Sequence, residues 1–186
     1  MKGQGNSSPK KEEVRISGEL LQIFGLGVLI TGDSGIGKSE CALELISRNH
    51  RLISDDVVEV KRDAEGHLIG TAPRLSRNFM EIRGLGIINI KEVFGPKVLL
   101  KQTKINLAIE LKRWRKGKEY DRIGLKYPHD VEILGQKVPR FIIPVAPGRN
   151  TATLVEVACR VYILREKGYK ASTEIIKRLN RALQVQ

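Results

Sequence analysis

Gly32-Asp33-Ser34-Gly35-Ile36-Gly37-Lys38-Ser39 decides how this chain is read. The stretch fits G-x-x-x-x-G-K-[ST], the pattern of a phosphate-cradling loop. Its surroundings fit as well. Val28-Leu29-Ile30-Thr31 is apolar and β-branched, so a strand runs into the loop, and Glu40 to Ile46 carries apolar residues at helical spacing. Glycines let backbone N–H groups curl around phosphate oxygens with no Cβ in the way. Lys38 reaches terminal phosphates, the Ser39 hydroxyl ligates Mg²⁺, and the helix N-terminus favours an anion. The stretch Gly32, Asp33, Ser34, Gly35, Ile36, Gly37, Lys38 and Ser39 therefore predicts binding of ATP or a related polyphosphate.

Hairpins dominate the rest. Strands are expected at Glu19–Phe24 and Gly27–Thr31 around Gly25-Leu26, and at Val57–Val60 and His67–Gly70 around the Asp63–Gly66 turn. A third pair, Val131–Leu134 and Val138–Ile143, brackets Gly135–Lys137. Arg51–Asp56 reads as a short strand ending in two acids, Met80–Gly86 as a strand closed by glycines, and Ile105–Leu111 as a long half-exposed strand. Two helices close the chain. One runs from about Thr151 to Lys167 with Leu154, Ala158, Val161 and Leu164 on its apolar face and Gly168 as its stop; the other runs from about Ser172 to Leu183 with Ile175, Ile176, Leu179 and Leu183 inward. The expected class is α/β: a phosphate-loop domain with a mixed, hairpin-rich sheet and two C-terminal helices, since regular strand–helix alternation is missing.

The 186 residues suffice for one domain with a core. Residues 1–13 read as a disordered polar lead and 14–186 as the catalytic domain. No apolar stretch approaches ~20 residues, so no membrane span is expected. Cys41 and Cys159 show no metal-ligand spacing and read as small core residues of a cytoplasmic protein. The net charge of +12 comes from 33 Lys+Arg against 21 Asp+Glu. It suits nucleic acid or an acidic partner. Basic clusters at 112–118 and 177–181 lack interleaved aromatics, which makes nucleic acid an unfavoured partner and leaves both as solvated helix faces.

Phosphoryl transfer further needs a metal holder, a base and cations. Asp55 and Asp56 end the strand after the loop helix; adjacent strand residues point to opposite faces, so one of them faces the site. Glu81 and Arg83, two apart on a strand, share a face. Arg122, and Arg149 in the rigid Pro144-Val145-Ala146-Pro147-Gly148-Arg149 loop, suit phosphate recognition. His50, His67 and His129 read as surface or turn residues, and Trp114 as packing.

Three segments, Gly27–Glu40, Met80–Asn89 and Ile143–Asn150, make the run from Gly18 to about Leu183 resemble the catalytic domain of bacterial HPr kinase/phosphorylase. The second resembles that family's own signature. The resemblance implies a fold related to the nucleotide domain of phosphoenolpyruvate carboxykinase and a homohexamer. It implies phosphorylation of a serine in HPr, the phosphocarrier of the sugar phosphotransferase system, with ATP or pyrophosphate and Mg²⁺. It also implies the reverse phosphorolysis by inorganic phosphate. By position it makes Asp56 the base, Lys38 the phosphate lysine, Ser39 and Glu81 the Mg²⁺ ligands, Arg122 the catalytic arginine, and Pro144–Arg149 the segment important for dephosphorylation. Two departures stand out. Family members with both activities usually carry an N-terminal domain, which suggests a catalytic fragment or a short member. And the family's histidine just before the glycine of the first strand is here Ser17, before Gly18, which suggests weakened phosphorolysis because serine does not titrate near neutral pH. Competing readings are a kinase of this fold acting on another protein or a small molecule, and a basic nucleotide-binding module for nucleic acid.

Overall fold

The structure, a computed structural model, describes residues 13–117 and 129–184. In chain order the elements are β1 (Glu13–Ser17), β2 (Glu19–Ile23), β3 (Leu26–Gly32), α1 (Lys38–Ser47), β4 (Arg51–Ser54), β5 (Val57–Arg62), β6 (Leu68–Thr71), β7 (Phe79–Ile82), β8 (Gly86–Asn89), α2 (Ile90–Phe94), β9 (Gln102–Arg113), β10 (His129–Ile133), β11 (Gln136–Val145), α3 (Thr151–Glu166) and α4 (Ala171–Gln184). The lead of residues 1–12 lies outside the described residues, and Glu13 already belongs to β1.

Nine strands form one mixed sheet. Its path is β1-β5-β6-β9-β3-β2-β4, with β11 beside β9 and β10 beside β11. The three expected hairpins are present as β2–β3, β5–β6 and β10–β11, all antiparallel. The parallel pairs are β3–β9 and β9–β11. Their registers set Gly32 beside Leu111 and Leu111 beside Ile143. Both loops of interest, Gly32–Lys38 and Pro144–Arg149, therefore leave the sheet from the same end.

Alternation along the central strands feeds two cores. Leu21, Val28, Ile30, Leu107 and Ile109 face α1 and α3; Leu20, Leu29 and Ala108 face a second core with Val58, Val60, Leu68, Ile133 and Val138. Each fully buried Leu or Ile contributes roughly 1.5–3 kcal/mol. The β9 strand was expected to be half-exposed. It is instead covered on both faces from Leu107 to Ile109. The alternation read over Ile105–Leu111 came from Asn106, Ala108 and Glu110, of which Ala108 is buried and the other two are partly covered.

The helix faces also differ from expectation. Helix α3 buries Ala152, Val155, Ala158 and Cys159, while Leu154 is partly buried and Leu164 is exposed. Helix α4 turns Ile175, Leu179 and Leu183 outward and buries only Ser172. The first basic cluster begins at the end of β9, not on a helix. Trp114, read as packing, is half exposed.

Gly27 permits a close approach at the start of the central pair. A Cβ there would lie 1.8 Å from the Lys104 carbonyl oxygen and 2.8 Å from Thr103 Cγ2, and the Gly27 N–H donates to Asn106 Oδ1 at 2.9 Å. The obstacle is backbone, which cannot move aside cheaply. Gly27→Ala is therefore expected to cost at least the ~1–3 kcal/mol typical of overpacking. Chemical denaturation checks this; an unchanged midpoint would mean that β3 and β9 are not this close.

Candidate active site

The loop between β3 and α1 is built by backbone geometry. Gly37, the N-cap of α1, has φ 97, and no side chain caps the helix. The first N–H groups of α1 thus have no intrahelical partner and point out of the helix end. Lys38 Nζ donates to the carbonyls of Gly32 at 3.1 Å and Asp33 at 3.3 Å. The ammonium is held over the loop on which an anion would sit. The Arg83 guanidinium lies over Gly35, where a Cβ would meet its Nη1 at 3.3 Å. Arg83 occupies the turn after β7, so it does not share a strand face with Glu81 as expected. It reaches the loop from that turn.

Asp55 and Asp56 follow β4 in a turn, not on the strand, so opposite strand faces do not separate them. Asp55 is 7% exposed; its Oδ2 accepts the Glu81 N–H at 3.2 Å, and its Oδ1 is buried without a hydrogen-bond partner. Asp56 is exposed with φ 65, a left-handed conformation that aspartate tolerates. Its carbonyl accepts from the Gly18 N–H at 2.8 Å.

Glu19 joins these parts, and sequence reasoning missed it. It is 1% exposed at the start of β2. Its Oε1 accepts from Ser39 Oγ at 3.3 Å and its Oε2 from the Asp56 N–H at 3.1 Å. Burial first, then the neighbouring Asp55 carboxylate, which accepts a hydrogen bond from the protonated form and repels the charged one, push its carboxyl up to about 9; the Asp56 N–H and Lys38 oppose the rise. A usable signal existed. Leu20 and Leu21 are both apolar, so β2 is covered on both faces, and an acid beginning it has nowhere to go but inward.

The raised Glu19 carboxyl has a consequence for stability. Between its ordinary 4.5 and about 9, the folded chain keeps a proton that the unfolded chain has lost. Stability therefore falls as pH rises through that window, by at most about 1.4 kcal/mol per unit. Glu19→Gln, which does not titrate, should flatten the fall. Thermal melts of both proteins across the window check this, and parallel curves would count against it.

The Pro144–Arg149 loop closes on itself, with Arg149 Nη1 donating to the Pro144 carbonyl at 2.8 Å. Asn150 then caps α3 through the Thr153 N–H at 2.7 Å and donates to Glu44 of α1 at 2.7 Å. Arg48 bonds Glu44 and Glu156, and His50 Nε2 meets Glu156 Oε1 at 2.8 Å. His50 is thus a buried, paired residue stacked edge-on against Phe24, not a surface one. Burial works against ionisation of Glu156, but hydrogen bonds from His50 and Arg48 outweigh it and hold its carboxyl below the usual range. Both cysteines are free and buried, and burial pushes each thiol up to about 12. His67 does have acids around it: with Asp63 and Glu65 it brings three ligand atoms within 4.8 Å at the β5–β6 turn.

The structure thus links Ser39 to Asp56 through Glu19 and Asp55 to the Glu81 backbone, with Lys38 held on the adjoining loop and Arg83 above Gly35. Pro144–Arg149 sits at the same end of the sheet without a described bond to them. Arg122 lies outside the described residues. Among the described residues, no helix is long and apolar enough to cross a membrane.

Residues 10–179 match the family described as HPr Serine kinase C-terminal domain, and the chain belongs to that family. The HPr kinase/phosphorylase of Geobacillus thermodenitrificans is 47% identical over 169 residues, covering 91% of this chain and 54% of the relative. That of Lachnoclostridium phytofermentans is 46% identical over 170 residues, covering 91% and 55%. The chain therefore spans about half the length of the curated relatives it matches. The solved structure of the Hpr(Ser) kinase/phosphatase from Coxiella burnetii superposes with a TM-score of 0.78 at 35% identity, covering 87% of this chain and 98% of that one.

Proposed function

We propose that this chain is the catalytic part of an HPr serine kinase/phosphorylase, with Gly32–Ser39 as its phosphate loop and ATP or pyrophosphate as donor. The observation that carries the reading is the linkage of Ser39, Asp55, Asp56 and Glu81 beside Lys38. These residues are of the types that phosphoryl transfer calls for: oxygens for a metal, an acid–base group and a cation for phosphate. Family membership and the names of the relatives support HPr as the substrate.

The oxygens of Ser39, Glu81 and the unpartnered Asp55 Oδ1 suit a hard divalent cation. Mg²⁺ held there would neutralise charge on the β- and γ-phosphates. Lys38 swings from the loop carbonyls onto the terminal phosphates, and the open N–H groups of α1 hold the remaining phosphate oxygens. Asp56 takes the serine proton as the serine oxygen forms its bond to the γ-phosphorus; the bond from that phosphorus to the β–γ bridging oxygen breaks, and ADP leaves. In reverse, an oxygen of inorganic phosphate attacks the phosphoserine phosphorus. The bond to the serine oxygen breaks, that oxygen recovers a proton from Asp56, and pyrophosphate leaves. Arg122 would stabilise the moving phosphoryl group. A relation to the phosphoenolpyruvate carboxykinase nucleotide domain and a homohexamer with Pro144–Arg149 near a neighbouring site complete the reading. Sedimentation tests the assembly, and a fully active monomer would remove it.

The test of function is incubation with ATP, Mg²⁺ and HPr, then intact mass of HPr. A gain of one phosphoryl group is expected, and unchanged HPr would overturn the reading. Ser17 offers a sharper check. It pairs with Val57, the residue after Asp56. Ser17→His is expected to raise phosphate-dependent dephosphorylation relative to kinase activity, because a charged imidazole can hold the attacking phosphate. An unchanged ratio of the two activities would refute the role.

A further inference from the structure

A glutamate that is 1% exposed and opens a strand otherwise filled by Leu20, Leu21 and Ile23 is costly to bury. An apolar residue would fit a strand covered on both faces. The cost has a counterpart in what the carboxyl touches. One oxygen accepts from the Ser39 hydroxyl at 3.3 Å and the other from the Asp56 N–H at 3.1 Å. Ser39 lies in the first turn of α1, and Asp56 sits in the turn after β4 with φ 65. These two segments come from opposite sides of β2 in the fold: β2 pairs with β3, which feeds the loop, and with β4, which feeds the turn. Glu19 lies where both reach past the end of β2. The Gly18 N–H adds a bond to the Asp56 carbonyl at 2.8 Å, so the left-handed residue is held at both its N–H and its carbonyl.

We propose that Glu19 is a positioning residue of the transfer site, whose two carboxyl oxygens fix the Ser39 hydroxyl and the Asp56 backbone at one spacing. Ser39 would bind the cation on the phosphates and Asp56 would receive the serine proton, so their separation sets how well nucleotide and acceptor align. Misplacing such groups by about 1 Å can cost on the order of 10²-fold. Nothing in this role requires Glu19 to touch substrate.

The inference rests on the kinase reading, and its test separates the two. Wild type, Glu19→Gln and Glu19→Leu are compared in ATP affinity with and without Mg²⁺ by calorimetry, and in HPr phosphorylation as Mg²⁺ is varied. Glu19→Leu is expected to lose most of the affinity gained from Mg²⁺, about 10–100-fold, with kcat falling by a similar factor and the KM for HPr unchanged. Glu19→Gln, whose amide oxygen still accepts, is expected to recover most of both. Glu19→Leu with wild-type Mg²⁺ response, or Glu19→Gln as defective as Glu19→Leu, would overturn the role. Should Glu19→Leu fail to fold, the wild type alone decides: its Asp56 amide is expected to exchange slowly with solvent, and free exchange would overturn the bridge. A wild type that binds MgATP yet never phosphorylates HPr refutes the kinase reading while leaving the binding comparison decisive; one without Mg²⁺-dependent nucleotide binding refutes both.

Discussion

Lys38→Ala loses transfer from ATP by on the order of 10³-fold or more, the scale of a single cation that stabilises a moving phosphoryl group. The argument starts from where the ammonium sits. It is held by two carbonyls of its own loop, Gly32 and Asp33, so it stays beside the place where phosphates would bind. An alanine leaves the loop path intact, because that path is set by backbone at Gly35 and Gly37. The fold should survive. Helix α1 docks through the buried Cys41, Ala42, Leu45 and Ile46, not through the half-buried Lys38, and losing the ammonium's hydrogen bonds costs about 1 kcal/mol. The measurement is kinase rate beside a thermal melt. Near wild-type turnover in a folded Lys38→Ala would remove the nucleotide site from this loop.

Asp56→Asn is expected to lower the kinase rate by ~10²–10⁴-fold, the usual contribution of a placed acid–base group, with MgATP binding retained. Asparagine tolerates the left-handed backbone that Asp56 adopts, so the substitution should not disturb the turn or its bonds to Glu19 and Gly18. Asp55→Asn should behave differently. It is buried against Glu19 and the Glu81 N–H, so its loss should show first in stability and in the response to Mg²⁺. If Asp55→Asn instead loses rate with metal response intact while Asp56→Asn stays active, the roles of the pair are reversed.

The loop was legible because its information is local. Glycines at fixed offsets, a strand before and a helix after are all contained in Val28–Ile46. The hairpins were legible for the same reason, since turn residues lie between their strands. Glu19 was not, because its partners Ser39, Asp55 and Asp56 are distant in sequence and a lone acid at a strand start reads as solvated. His50 was missed similarly, its partner Glu156 lying on α3. Asp55 and Asp56 were read as a strand end and lie in the turn after it, because a strand end and a left-handed turn have the same composition. The apolar stripe of α4 shows the limit of periodicity. Spacing reveals that Ile175, Leu179 and Leu183 share a face, yet it carries no information on what covers that face. For β9, a core on each face buries what read as a half-exposed strand, and neither core is visible in the strand's own sequence.

The central place of β9 also fixes when this protein can become competent. Val28 and Ile30, which lead into the Gly32–Ser39 loop, pair with Leu107 and Ile109, and β9 in turn supports β11. During synthesis the loop and α1 emerge early but have no parallel neighbour until the chain past Arg113 has left the ribosome. Closing that long span must precede any gain from the contact, so the parallel pair forms late and slowly. Until then the β2–β3 hairpin, with β4 on its other side, presents the open edge of β3 as an unpaired apolar strand. The nascent chain's dependence on chaperones, and the point at which a truncated chain first resists protease, are thereby set by one strand in the middle of the sequence.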